Sequence, residues 1–233
     1  MRTKQLKSGD VLSYIEMCAR ERVNLQRGMN FRLKGQMSVI LMSVRRGAPY
    51  ADRVEGDGRI LNYEGHDVPK ASPKIDPKSL DQPALTPGGK PTQNGLFFQA
   101  AHAFKAGTAQ AELVRVYEKI RNGIWTYNGI FKLVDAWQED ANGRKVFKFK
   151  LEITDEKAKQ AVSYDLSHER VIPTSVKLEV WKRDKGRCRQ CGRTDNLHFD
   201  HIIPFSLGGS SVVAENIQLL CARHNLEKKD SIQ

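Results

Sequence analysis

Apolar positions recur at helical spacing in VLSYIEMCARERVNLQ, where Leu12, Ile15, Cys18 and Ala19 fall on one stripe and predict a helix over 11–26. SVILMS, residues 38–43, is short and continuously apolar and reads as a buried strand. A polar, glycine-containing loop follows, VRRGAPYADRVEGDG, and then a second strand, RILNYEG. Residues 66–95 are rich in Pro, Gly, Asn and Asp and read as a long loop; such loops are uncommon in compact domains unless they have a task. NGLFFQAAHAFKAG places Phe97, Ala101 and Phe104 at helical spacing. ELVRVYEKI and IWTYNGIFKLVDAW read as strands, the second broken by a hairpin turn at Asn128-Gly129. After a turn at Asn142-Gly143, RKVFKFKLEI alternates: Phe147, Phe149, Leu151 and Ile153 face one way, Lys148, Lys150 and Glu152 the other. This β-rich half ends near residue 153. Residues 154–173 are polar and read as a linker, and SVKLEVWKRDKG opens a smaller module.

Length and composition fit this division. A chain of 233 residues accommodates one large or two modest domains. With 39% hydrophobic and 28% charged residues it can bury a core and is not of the disordered class. No apolar run approaches the roughly 18 residues of a membrane span. The basic N-terminus has no apolar segment behind it that would mark a secretory signal, so the expected location is the cytoplasm, with no membrane partner. The net charge of +11 points to a polyanion, and nucleic acid is favoured over a membrane surface because no basic amphipathic helix stands out. A solvated basic face without a partner would have the same composition.

Three of the four cysteines cluster near the C-terminus. Cys188-x2-Cys191 and Cys221-x2-His224 are two half-sites, and each short spacing lets two side chains converge on one tetrahedral Zn²⁺. A module of about sixty residues has too little core to hold itself, which a structural metal remedies. The competing reading is a set of buried thiols with an incidental histidine. Cys18, alone in a helical pattern, reads as a small buried hydrophobe. The zinc pattern leaves Asp200, His201, Asn216 and Asn225 unused. Asp200 and His201 end the strand-like run LHF, while Asn216 and Asn225 sit on a helix predicted over VVAENIQLLCARHN. Asp200 and Asn225 can offer oxygens to a hard cation, Mg²⁺ or Mn²⁺, and His201 beside it can take a proton from an attacking water.

From CxxC through DHIIP, GG and AEN to LCxxHNxxK, residues 186–230 resemble the HNH, or ββα-metal, nuclease family. The resemblance implies His201 as general base, Asp200 and Asn225 as ligands of the catalytic cation, and Asn216 as the brace of the His-bearing loop. This chain departs from the family in having Asn225 where a final His is frequent, and His224 where a zinc-binding Cys usually stands. The rival assignment makes His224 a ligand of the catalytic metal and leaves zinc with three Cys; four-coordinate structural zinc favours the Cys3His set. His198 shares the strand face of Asp200 and reads as a surface strand residue.

In the front half, Tyr50, Asp52 and Tyr63 are unremarkable by themselves. Yet SVILMSVRRGAPYADRVEGDGRILNYEGHD, QNGLFFQAAHAF, LVRVYEKI, YNGIFKLVDAWQED and VFKFKLEI, in that order, resemble the SRA (YDG) domain over residues 36–153. That family takes a modified cytosine out of the duplex into an aromatic pocket. The resemblance implies Tyr50 and Tyr63 as the stacking pair and Asp52 as reader of the base edge, with Asp57 in reserve. Arg45, Arg46 and the basic N-terminus would meet phosphates.

The expectation is therefore an α+β chain: an SRA-like (PUA-like) β-barrel with flanking helices at 1–153, a linker at 154–173, and a zinc-bound ββα-metal HNH domain at 174–233. The expected activity is a modification-dependent endonuclease that reads 5-methylcytosine, or a relative, in double-stranded DNA and hydrolyses phosphodiester bonds. One such site cuts one strand, so a homodimer is expected. The rivals are an HNH nuclease or nickase indifferent to modification, and a non-catalytic reader.

Overall fold

The computed structural model describes residues 6–55, 58–69, 76–154, 171–204 and 208–228. The predicted first helix is shorter than its apolar stripe. Val11–Ser13 form strand β1, and α1 spans Tyr14–Glu21. Ser13 sets this boundary: its hydroxyl accepts from the Glu16 amide, and the Glu16 carboxylate accepts from the Ser13 amide at 2.8 Å, a reciprocal capping box. Leu12 is thus buried from a strand, whereas Ile15 points to solvent.

Seven further strands complete one sheet: β2 (Met29–Asn30), β3 (Ser38–Met42), β4 (Arg53–Glu55), β5 (Ile60–Glu64), β6 (Glu112–Arg121), β7 (Ile124–Ala141) and β8 (Arg144–Ile153). Their order is β2-β3-β6-β7-β8-β5-β4, with β1 added to β7; β3 and β6 run parallel and the other pairs antiparallel. Helix α2 (Gln93–Lys105) lies against it, capped by Thr92. Its Phe97 and Ala101 are buried among Phe131, Phe147, Phe149 and Leu151, as the sequence pattern implied. Burial of each such aromatic or aliphatic side chain contributes about 1.5–3 kcal/mol. The Asn142-Gly143 turn is present, both residues at positive φ.

One reading is corrected. Asn128-Gly129 is not a turn: β7 runs through it, and a register shift opposite Val116 and Tyr117 makes it a bulge. The bulge aims Asn128 at Glu118 and Lys177, and that buried polar contact outweighs its local turn preference. Lys148, on the face of β8 opposite Phe147 and Phe149, is buried rather than open to solvent. It is 3% exposed and pairs with Glu64 at 2.9 Å, because β5 lies alongside β8.

The C-terminal module consists of α3 (Thr174–Arg183), the hairpin β9 (Leu197–His201) and β10 (Ile217–Cys221), and α4 (Ala222–Lys228). The helix predicted over 212–225 is thus corrected to a 3-10 turn at Ala214–Asn216, a strand and a shorter helix. Pairing of IQLLC with LHFDH supplies the partner that the isolated apolar run could not declare. Most of the expected linker lies outside the described residues; at its end Val171 packs in the front core and Ile172 in the module's core. The N-terminal segment also ties the two parts. Gly9 donates to Tyr127 O on β7 at 2.8 Å and accepts from Phe199 on β9 at 3.1 Å. Gly9 has φ +94° and a Cβ there would stand 2.8 Å from Phe199 O, so the crossing requires glycine. Among the described residues no helix is long and apolar enough to cross a membrane.

Candidate active site and base pocket

Cys188 and Cys191 sit on the loop between α3 and β9, Cys221 ends β10, and His224 lies in the first turn of α4. Their ligand atoms all lie within 4.8 Å of one another. The Cys191 and Cys221 sulfurs are 3.8 Å apart, and His224 Nδ1 is 3.3 Å from Cys188 Sγ and 3.5 Å from Cys221 Sγ. A tetrahedron with metal–sulfur bonds of about 2.3 Å and metal–nitrogen bonds of about 2.0 Å has edges of roughly 3.5–3.8 Å. The donor set and its spacing therefore fit zinc, with Nδ1 as the His224 donor. Burial works against a thiolate at Cys188, but backbone N–H groups of Cys221, Cys191 and Gln190 and the His224 ring hold its pKa down to about 6.

The clamp holds one end of the hairpin that carries Asp200 and His201. Cys221 pairs with Leu197 at one end of the ladder, and Ile217 pairs with His201 at the other. His201 Nε2 is 2.8 Å from Ser211 Oγ across the loop that follows β9, and burial holds its pKa below the usual imidazole value, against the raising influence of Asp200. Asn216 closes that loop. Its Oδ1 accepts from Ile203 N at 2.8 Å, and its Nδ2 donates to Ile203 O and Ser210 O, each at 3.0 Å. Asp200 Oδ2 accepts from Lys228 Nζ at 2.7 Å and from Gln218 Nε2 at 3.4 Å. Asn225 precedes Lys228 by three positions on α4, and such positions share a helix face. His198 is not a bare surface residue: its Nδ1 lies 3.1 Å from Asp10 Oδ1 of the front domain.

In the front domain, Tyr50 precedes β4 and is half-buried, while Tyr63 on β5 is 2% exposed and packs in the core. Asp52 is buried. Its Oδ2 accepts from Ser43 N at 3.0 Å and its Oδ1 from Glu64 N at 3.1 Å, so it joins the end of β3 to β5. Burial pushes Asp52 up to about 7, against those two amides. The ring that stacks on Tyr50 is His66, with centroids 5.5 Å apart and planes at 21°. His66 Nε2 is also 3.0 Å from the Tyr63 hydroxyl. Next to these rings Glu64 meets Lys148 and Asp67 meets Arg144 at 2.6 Å, all four buried, while the more exposed Lys78 meets Asp67 at 3.0 Å. Lys78 also lies 4.0 Å from the centre of the Tyr50 ring. Arg46 is exposed, and Arg45 is partly exposed with Nε on Ser43 Oγ at 3.2 Å. The reserve candidate Asp57 lies outside the described residues.

Sequence reasoning passed over His66, Ser211 and Lys228. Lys228 had a signal, the HNxxK spacing that puts it one helical turn past Asn225. A serine in a loop and a histidine after a strand carry no comparable mark.

Residues 188–231 match the family described as HNH endonuclease. Among solved structures, the chain is similar to the SUVH5 SRA domain in complex with hemi-methylated CG DNA, with 23% identity over 66% of this chain and 92% of that one and a TM-score of 0.46. It is similar to the SUVH5 SRA domain bound to fully hydroxymethylated CG DNA, with 20% identity over 65% and 91% and a TM-score of 0.47. It is also similar to the modification-dependent TagI restriction endonuclease, with 22% identity over 96% and 78% and a TM-score of 0.42. No curated protein matches the chain. The stretch that matches the HNH endonuclease family, residues 188–231, is the one that holds the β9–β10 hairpin, α4 and the Cys3His clamp.

Proposed function

We propose that the protein is a modification-dependent DNA endonuclease: the front domain takes a flipped 5-methylcytosine, or a related modified cytosine, and the HNH module hydrolyses a phosphodiester bond. The observation that carries the reading is the Asp200–His201 pair on a hairpin held by the Cys3His clamp.

In this reading His201 is the general base. Ser211 occupies Nε2, which leaves Nδ1 as the nitrogen that takes the proton from water. Asn216 keeps the loop beyond His201 in one conformation, so the ring's direction is set before substrate arrives. Asp200 and Asn225 would hold Mg²⁺ or Mn²⁺, which supplies charge stabilisation at the scissile phosphate. Lys228 anchors Asp200 from below with a nearly buried ammonium.

At the front, Tyr50 and Tyr63 are the aromatic walls and Asp52 reads the base edge. Each Asp52 oxygen accepts one amide and keeps a second lone pair for the cytosine amino group. A carboxyl with a pKa of about 7 can also carry a proton toward the ring nitrogen. Arg45, Arg46 and the basic N-terminal segment would meet phosphates. A double-strand cut takes one site per strand, so two copies act together, in the cytoplasm where they meet DNA.

The test is cleavage and binding by His201→Ala. Loss of cutting with retained binding of modified DNA supports the assignment, and unchanged cutting refutes it.

A further inference from the structure

We infer that His66 is a gate on the base pocket: in the free protein its imidazole occupies the stacking position on Tyr50, and a flipped base enters by displacing it. This rests on the base-reading proposal above.

Three observations converge. The first is that the ring parallel to Tyr50 belongs to the protein itself: His66 lies 5.5 Å from Tyr50 and 6.2 Å from Tyr63, centroid to centroid. A base that stacks on the same face of Tyr50 competes with it for one position. The second is that Tyr63, at 2% exposure, can stack on a base only if a neighbour moves. Around its hydroxyl those neighbours are His66 and the backbone of Gly28, which comes so close that a Cβ on Gly28 would lie 2.7 Å from both the Tyr63 oxygen and His66 Nε2.

The third is that the backbone of His66 is held, so a displacement of the ring is a rotation of its side chain. Its amide donates to Asn94 Oδ1 and its carbonyl accepts from Asn94 Nδ2, each at 2.8 Å, so α2 pins its backbone. Gly28 belongs to the chain that leads into β2 and has no side chain to move. The latch is then one hydrogen bond, His66 Nε2 to Tyr63 Oη at 3.0 Å, plus the ring contacts with Tyr50 and Tyr63. The imidazole is neutral near pH 7, because burial lowers its pKa to about 4, so opening moves no charge.

The role differs from that of a pocket wall. A wall strengthens binding of the flipped base, whereas a gate opposes it and removing the gate tightens binding. Unmodified DNA, held through its backbone without flipping, does not engage the gate.

The test uses the full chain without added Mg²⁺ or Mn²⁺ and matched duplexes with and without 5-methylcytosine, one base beside the target being 2-aminopurine. Anisotropy gives the Kd, and 2-aminopurine fluorescence reports flipping. Because a net hydrogen bond and the ring contacts are released, His66→Ala should tighten binding of the modified duplex about three- to tenfold and leave the unmodified duplex unchanged. Tyr63→Phe keeps the aromatic face and removes the same hydrogen bond, so it should tighten binding of the modified duplex by a smaller factor. It also serves as the independent variant if His66→Ala does not fold. Weaker or unchanged binding of the modified duplex by these variants overturns the gate while leaving base reading intact. Equal binding of both duplexes by the parent protein removes the base reading and the gate together.

Discussion

Lys177 on α3 and Glu118 on β6 meet at 2.6 Å, with side-chain exposures of 1% and 0%. Asn128 completes the contact: its Oδ1 accepts from Lys177 at 2.8 Å and its Nδ2 donates to Glu118 at 3.0 Å, while Thr174 also donates to Glu118. The pair crosses from the front sheet to the helix that opens the nuclease module. Burial pushes the Lys177 pKa below the lysine range, and the Glu118 carboxylate opposes that shift. A charge buried this deeply is tolerable only with its partner in place.

Lys177→Met should therefore destabilise the protein by about 3–5 kcal/mol, since it leaves Glu118 buried and uncompensated. Lys177→Met with Glu118→Gln should recover much of the loss, because Gln can still bond to Asn128 and Thr174. Denaturant titration of the two variants checks this.

The clamp predicts metal dependence of the module's fold. Cys221→Ser removes one of the three sulfurs at the junction of β10 and α4. The variant should lose the zinc that the parent protein retains through dialysis, and the C-terminal module should no longer unfold cooperatively. Elemental analysis paired with calorimetry reads both quantities.

Ser211 should matter less than His201 and in a different way. His201→Ala removes the proposed proton acceptor and should lower kcat by about 10²–10⁴-fold. Ser211→Ala leaves the imidazole but frees its direction, so kcat should fall about tenfold with KM near the parental value. Single-turnover cleavage of a modified duplex distinguishes the two.

His66 gives the stability a pH dependence. Burial lowers its pKa in the fold to about 4, with Arg27 and Lys78 acting the same way and Asp67 opposing. The unfolded chain takes up this proton near pH 6.5, so the unfolded state is favoured as pH falls from about 6.5 to 4. His66→Phe abolishes that uptake. Relative to the parent protein, the variant should gain up to about 3 kcal/mol between pH 7 and 4 and nothing above pH 7. Chemical denaturation at stepped pH measures the difference.

What the sequence disclosed follows from how local each cause is. Asn142-Gly143 is readable because positive φ at both positions is a local demand. Asn128-Gly129 carries the same letters and forms a bulge, because Asn128 is claimed by Glu118 on the neighbouring strand and by Lys177 from the distant α3. IQLLC is apolar without periodicity, so only its pairing with LHFDH decides between helix and strand. The Cys and His spacings disclosed the clamp, since each half-site is a local unit. His66 was hidden because its significance lies in a stack on Tyr50 across the loop and strands that separate them.

The central claim is that one chain reads a modified cytosine with its front domain and cuts with its HNH module. The most direct measurement is cleavage of a single DNA sequence, prepared with and without 5-methylcytosine, in Mg²⁺, in Mn²⁺ and in chelator. The account predicts cutting of the modified duplex alone, and only with a divalent cation. Equal cutting of both duplexes, or undiminished cutting in chelator, would contradict it.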